Sequence, residues 1–230
     1  MLDKWIDTIE KSKLFSGIYR EEAKLMLKCL TPRIVHVKKG EFTGFSGENI
    51  EELGVLLEGS LSIMKENIDG GRIIIDIVKP GELFGEIAVF TEKKLWPATV
   101  LANENSVAMF ISPDKFTGGC LNACTYHRQL ILNMLKIISE KALGLRKKVE
   151  YLSIKGMREK LCTYFWEQYK KNDNLMFVLP MKRGELADFL NVSRPSMSRE
   201  MCRLRDEGLI DFHLSTIKIR NPEKVAMYVQ

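Results

Sequence analysis

At 230 residues the chain can bury a core in each of two modest domains, and its 45% hydrophobic and 28% charged residues are those of an ordinary soluble globular protein. No run of about 18 apolar residues occurs, which excludes a spanning helix. The start Met1-Leu2-Asp3-Lys4-Trp5 lacks the basic opening and apolar block of a secretion signal, so a cytoplasmic protein without a membrane partner is expected.

The formal net charge of +5 is unevenly spread. From Ser153 to Gln230, 14 Lys and Arg face 10 Asp and Glu, so most of the surplus lies in the last third, where it is compatible with a polyanion partner. The five cysteines, Cys29, Cys120, Cys124, Cys162 and Cys202, are irregularly spaced and form no CxxC pair, which argues against a zinc ribbon or an iron-sulfur site. Buried, reduced thiols are the plain expectation, with a thiol switch at Cys120 and Cys124 as the alternative.

In chain order, apolar positions Ile6, Ile9, Leu25, Met26 and Leu30 predict helices over Leu2 to Lys11 and Arg20 to Leu30, the second stopped by Pro32. From Arg33 to Ser112 the chain offers short alternating apolar runs, at 34–37, 55–57, 61–64, 73–78, 99–102 and 107–111, punctuated by glycines. Such spacing predicts an antiparallel sandwich or barrel, with Asn67 to Gly71 as a hairpin turn. The three histidines His36, His127 and His213 are scattered, and no nucleophile elbow, P-loop or triad occurs. An enzyme is therefore the weaker expectation, and no metal or cofactor is expected.

The stretch from Asn122 to Leu152 reads as one long helix. Ile131, Leu135, Ile138, Ala142, Leu145, Val149 and Leu152 recur at alternating spacings of four and three, with Lys136, Glu140, Lys141, Arg146, Lys147, Lys148 and Glu150 between them. That heptad suits a seam between two copies of the helix; the other use of such a pattern is an amphipathic helix lying on its own domain.

Pro80-Gly81-Glu82-Leu83-Phe84-Gly85-Glu86-Ile87 has its own chemistry. A Gly-Glu pair entering a helical turn exposes backbone N–H groups beside a carboxylate able to accept hydroxyl protons, a cradle for a small polar or anionic ligand. Together with Leu56-Leu57-Glu58-Gly59-Ser60-Leu61, this segment resembles the phosphate-binding cassette of the Crp/Fnr superfamily. The resemblance implies an effector-sensing β-roll and an effector site at Phe84, Gly85, Glu86, Trp96 and Ala98. Cyclic-nucleotide binders of that family follow the cassette with Arg-Ser-Ala, the arginine pairing with the cyclic phosphate; here Trp96-Pro97-Ala98 stands in its place. A neutral indole cannot replace a bidentate guanidinium, so cyclic AMP is not the expected effector. The N-terminal cysteine cluster of Fnr-type oxygen sensors is missing, since only Cys29 precedes the barrel, and no histidine for a haem lies between Val37 and Tyr126. What remains is an organic effector walled by Trp96, Gly85, Glu86 and the start of the long helix, or no effector, with Trp96 a core residue filling the space.

After Leu152 the pattern restarts: Met157, Leu161, Tyr164, Phe165 and Gln168 trace a helix broken at Asn172-Asp173-Asn174, and Leu175 to Leu179 reads as a short strand. Glu185 to Leu190 predicts a helix, Asn191-Val192-Ser193 a turn in which Asn tolerates the left-handed corner, and Ser193 a cap for a second helix with Pro195 in its first turn. Met197, Met201 and Leu204 face the core, leaving Ser196, Arg199 and Arg203 on the opposite face with Arg194 at the start, as a recognition helix requires. Val192-Ser193-Arg194-Pro195-Ser196-Met197-Ser198-Arg199-Glu200 resembles the Crp/Fnr helix-turn-helix signature. The resemblance implies that Arg194 and Arg199 read guanines and that Ser193 and Ser196 contact phosphate. It also implies that Pro195, where many relatives have a base-contacting glutamate, changes the operator at that base pair. Ser198 joins this DNA-facing set. Gly208 to Ile210 and Leu214 to Arg220 predict a wing whose Lys218 can touch phosphate, and Pro222 to Tyr228 a terminal helix.

The expected fold is α+β: an antiparallel β-roll with N-terminal helices over 1–121, a dimerisation helix over 122–152, and a winged helix-turn-helix over 153–230. The expected function is a homodimeric, sequence-specific transcription regulator. It would bind palindromic double-stranded DNA under control of a small-molecule effector other than cyclic AMP, with RNA polymerase as a further partner if it activates. A ligand-binding module without DNA function, or control by thiol state or abundance, stays open.

Overall fold

The computed structural model describes residues 2–66, 72–117 and 126–229; the expected hairpin turn at Asn67 to Gly71, Cys120, Cys124 and the first residues of the long helix lie outside them. The chain forms two units, 1–140 and 141–230.

In the first unit a 3-10 turn over Leu2–Trp5 leads into α1 (Ile6–Lys11), so the single helix expected over Leu2 to Lys11 is broken at Trp5. Ser12 caps a second 3-10 turn, its hydroxyl accepting from Leu14 N, and α2 follows over Arg20–Leu30. Among the described residues eight strands follow: β1 (Arg33–Val37), β2 (Phe42–Gly44), β3 (Leu53–Glu58), β4 (Leu61–Glu66), β5 (Arg72–Val78), β6 (Leu83–Phe84), β7 (Thr99–Ala102) and β8 (Ser106–Ile111), with α3 (Glu86–Val89) after β6 and α4 (Pro113–Thr117) after β8. The strands make two four-stranded antiparallel sheets, ordered β1-β8-β3-β6 and β2-β7-β4-β5. β2 and β6 are three and two residues long, too short to show a period in the sequence.

β8 is buried at all six positions and β3 at five of six, which an antiparallel strand reaches only when both its faces are covered. One face meets the other sheet. The N-terminal helices lie on the outer side, where Lys4 pairs with Glu58 at 3.1 Å and the rings of Trp5 and His36 lie 6.2 Å apart. One apolar cluster runs through both sheets, these helices and Leu130, Met134 and Ile137 of the long helix that follows.

α5 spans Tyr126–Ser153, and its first half belongs to the first unit. There Asn133, almost fully buried, donates to the carbonyls of Leu14 at 2.9 Å and Ser16 at 2.7 Å, while Gln129 donates to its amide oxygen. Because a helix turns 100° per residue, seating Leu130, Asn133, Met134 and Ile137 on the core turns Ile131 and Leu135 outward.

The second unit contains the rest of α5, α6 (Met157–Asn172), β9 (Met176–Val178), α7 (Arg183–Leu190), α8 (Arg194–Asp206), β10 (Ile210–His213), β11 (Thr216–Ile219) and α9 (Pro222–Ala226). The strands form a sheet ordered β10-β11-β9, and a second apolar cluster joins α6, α7, α8, the sheet and Val225. Leu214, expected in a strand, instead occupies the wing turn with φ of 51°.

Candidate nucleic-acid interface and effector turn

Helices α7 and α8 are joined at Asn191, whose φ of 54° makes the left-handed corner; Val192 N donates back to Ala187 O at 2.9 Å. Ala187 is fully packed, where a larger side chain would push the two helices apart. Ser193 caps α8, its Oγ accepting from Ser196 N at 3.3 Å, and Pro195 sits in the first turn, where its missing N–H removes no helical bond.

Met197, Met201 and Leu204 are buried, and Arg194, Pro195, Ser198, Arg199 and Arg203 are exposed. Ser193 Oγ lies 2.8 Å from Ser196 Oγ, which in turn accepts from Arg199 Nη2 at 3.2 Å. The hydroxyls and arginine named from sequence thus form one short chain at the start of the helix. Lys218 is exposed on β11.

The wing is fixed by a residue that the sequence reading did not single out. Arg183, in the first turn of α7, stacks over Phe212 at 4.9 Å and donates Nη2 to Leu214 O at 3.0 Å; Arg205 approaches the same ring at 5.4 Å. Burial lowers the pKa of Arg183. Lys160 was also missed: it is buried in α6 and its Nζ donates to the carbonyl of Leu190 at 2.9 Å, satisfying the C-terminal end of α7. Its signal in the sequence was faint, a lysine on the apolar face traced by Leu161, Tyr164 and Phe165.

The effector turn is tightly built. Gly85 has φ of 78° and starts α3, a conformation that favours glycine. Phe84, Glu86, Trp96 and Ala98 are all buried. The Trp96 indole, 7% exposed, stacks on Phe84 at 6.3 Å. It also lies against two glycines: a Cβ on Gly44 would come within 2.5 Å of it, and one on Gly85 within 3.0 Å. Trp96 is therefore packed as a core residue over the turn. A cavity of about 240 Å³, lined in part by Arg33, Thr43, Asn49, Glu52 and Phe110, borders the indole.

On α5, Ile131, Leu135, Leu145, Val149 and Leu152 are exposed, Leu135 at 55% and Leu145 at 61%; Ala142 is exposed and Ile138 half-buried. The seven heptad positions form an apolar stripe distinct from the Leu130, Met134 and Ile137 stripe that packs on the core, with Ile138 at the border between the two. In the first half, α5 thus carries both patterns weighed from sequence. Among the described residues, no group of three or more His, Cys, Asp or Glu side chains could hold a metal ion, and no helix is long and apolar enough to cross a membrane.

Residues 34–122 match the cyclic nucleotide-binding domain family, and residues 159–228 match the Crp-like helix-turn-helix domain family. The chain is 21% identical over 210 residues to the cyclic AMP receptor protein of Thermus thermophilus, covering 91% of this chain and 93% of that protein. It is 24% identical over 184 residues to the cAMP-activated global transcriptional regulator CRP of Salmonella typhimurium, covering 75% and 82%. Among solved structures, OCPA-complexed CprK superposes with a TM-score of 0.61 at 16% identity, covering 87% of this chain and 92% of that one. The Thermus thermophilus catabolite activator protein gives 0.54 at 19%, covering 94% and 98%. These likenesses show a shared fold, and the relatives are transcription regulators rather than enzymes. With a cyclic nucleotide-binding domain followed by a Crp-like helix-turn-helix on one chain, the protein belongs to the Crp/Fnr family of DNA-binding transcription regulators.

Proposed function

We propose that the protein is a homodimeric regulator that reads a palindromic DNA site through α8 and answers to a signal other than cyclic AMP. The DNA half rests on one observation: α8 has a buried Met197, Met201 and Leu204 face and an exposed face of arginines and small hydroxyls. Such a helix fits the major groove with bidentate donors for guanine. Arg194 and Arg199 are the base readers, Ser193, Ser196, Ser198 and Lys218 the backbone contacts, and Pro195 alters preference at one base pair. The α5 stripe joins two copies, which sets half-sites about one helical turn apart. RNA polymerase is a further partner if the protein activates.

Several relatives are described as cAMP-activated. Here the position of the phosphate-pairing arginine is filled by Trp96, and the indole lies directly on the turn at Gly85. A cyclic phosphate would meet no guanidinium there, losing a charge-assisted pair. The effector reading keeps Phe84, Gly85, Glu86, Trp96 and Ala98 as the contact set for a different small molecule. The burial of Phe84, Glu86, Trp96 and Ala98 favours a second reading, in which the site is filled by Trp96 and control lies in abundance or thiol state.

Native mass spectrometry before and after exposure to a small-molecule extract of the host cells separates these. A dimer with reproducible excess mass supports the effector, and a bare dimer in both conditions supports the second reading. Saturable micromolar cyclic AMP binding in calorimetry refutes the claim about cyclic AMP. For the DNA half, Arg199→Ala should cost about 1–3 kcal/mol and relax one base position; unchanged affinity and preference would remove Arg199 from the reading set.

A further inference from the structure

Arg158 stands in the first turn of α6, two residues after Gly156, and its side chain grips α8. Nε donates to Glu200 Oε1 at 2.8 Å. Nη1 and Nη2 donate to the two oxygens of Glu207 at 2.8 and 2.6 Å, a fork on one carboxylate. Nη1 also donates to the Tyr228 hydroxyl at 3.4 Å, and the guanidinium lies 5.3 Å from that ring. The side chains of Arg158 and Glu200 are only 22% and 12% exposed. The hydrogen bonds to Glu207, Glu200 and Tyr228, in that order, raise the pKa of the half-buried Arg158.

Glu200 lies within α8 and Glu207, seven residues on, is the residue that caps its C-terminal end, so the two contacts are about two turns apart along the helix. A single contact lets a helix rock about that point; contacts two turns apart fix both its rotation and its tilt. Glu200 also accepts from Arg203 Nη1 at 3.3 Å, and Arg203 is exposed one turn beyond Arg199. A charged chain, Arg158–Glu200–Arg203, therefore runs from the start of α6 to the exposed face of α8.

We propose that Arg158 is a positioning residue for DNA reading: by holding Glu200 and Glu207 it sets the rotation and seating of α8, so sequence discrimination depends on this clamp. The proposal rests on the reading of α8 as the recognition helix. It makes the first turn of α6, directly after the break between α5 and α6, the point at which movement of α6 reaches α8. A purely structural ion pair would lower stability when broken and leave the preference of the folded protein intact.

The test uses the full chain, a duplex enriched by the wild type from a random-sequence pool, and a scrambled duplex of equal length, below the unfolding transition of every variant. Arg158→Gln should lower the ratio of the two affinities about ten-fold or more, with the salt dependence on scrambled DNA unchanged. Arg158→Lys, which keeps the charge and loses the fork, should fall between. If Arg158→Gln does not fold, Glu207→Gln, whose side chain is 46% exposed, carries the test with an expected several-fold loss. If Arg199→Ala abolishes preference while the folded Arg158 or Glu207 variants keep it, the proposal alone is overturned. A wild-type chain that enriches no sequence overturns the recognition-helix reading and this proposal together.

Discussion

Replacing Trp96 by alanine tests whether the indole is part of the structure or a removable wall of a ligand site. A buried aromatic side chain hides about 150–250 Å², which at about 25 cal/mol per Å² is about 4–6 kcal/mol. The unfolded chain already shields part of that area, so the observed loss should be about 3–5 kcal/mol. The environment supports a value in that range: the ring is packed against Gly44 and Gly85, neither of which has a side chain to collapse into the space left behind. Phe84, which meets Phe110 edge-on at 5.5 Å, would lose the indole stacked on it at 6.3 Å. Urea unfolding followed by circular dichroism gives the loss directly, and repeating it with cyclic AMP should leave the midpoint of both proteins unmoved. A loss below about 1 kcal/mol would refute the reasoning, because an indole that contributes so little cannot be a packed part of the core.

Two further outcomes follow from particular residues. Leu145→Glu places a carboxylate on each copy of the α5 stripe, where the two would face one another without a partner; light scattering should show the mass halved, and an unchanged dimer would move the interface elsewhere. Cys162 is fully buried, and burial pushes its thiol up from the ordinary 9.0 to about 12, with Arg158 opposing. The unfolded thiol therefore loses its proton first as pH rises: the contribution is complete below about pH 9 and declines as pH climbs toward about 12. Unfolding free energies from about pH 8 to about pH 10.5 should fall more steeply for the wild type than for Cys162→Ala; equal slopes would exclude the thiol as the cause.

Local periodicity carried much of the architecture. Ile34 to Val37, Val55 to Leu57 and Val107 to Ile111 announced strands because short apolar runs rich in β-branched residues, too short for a helix and bounded by polar or glycine residues, fit buried strands. Asn191, Ser193 and Pro195 announced the turn and cap of the helix-turn-helix, since each residue type satisfies a specific backbone requirement at its position. β2 and β6 escaped notice because two or three residues hold no period; pairing with β7 and β3 defines them. The helix expected from Leu2 to Lys11 divides into a 3-10 turn over Leu2–Trp5 and an α-helix from Ile6, with Trp5 buried beside His36.

The candidate sites divide along the same line. The identity of the residues at the start of α8, the departure at Trp96 and the heptad of α5 are properties of the sequence, because each depends on which side chain stands at a given spacing. Tertiary structure alone decided that Trp96 lies on Gly44 and Gly85, that Asn133 fixes which stripe of α5 meets the core, and that Arg158 holds Glu200 and Glu207. These contacts join residues 11 to 119 positions apart in the chain. No local pattern encodes such a pairing; it exists only once packing has fixed which faces meet.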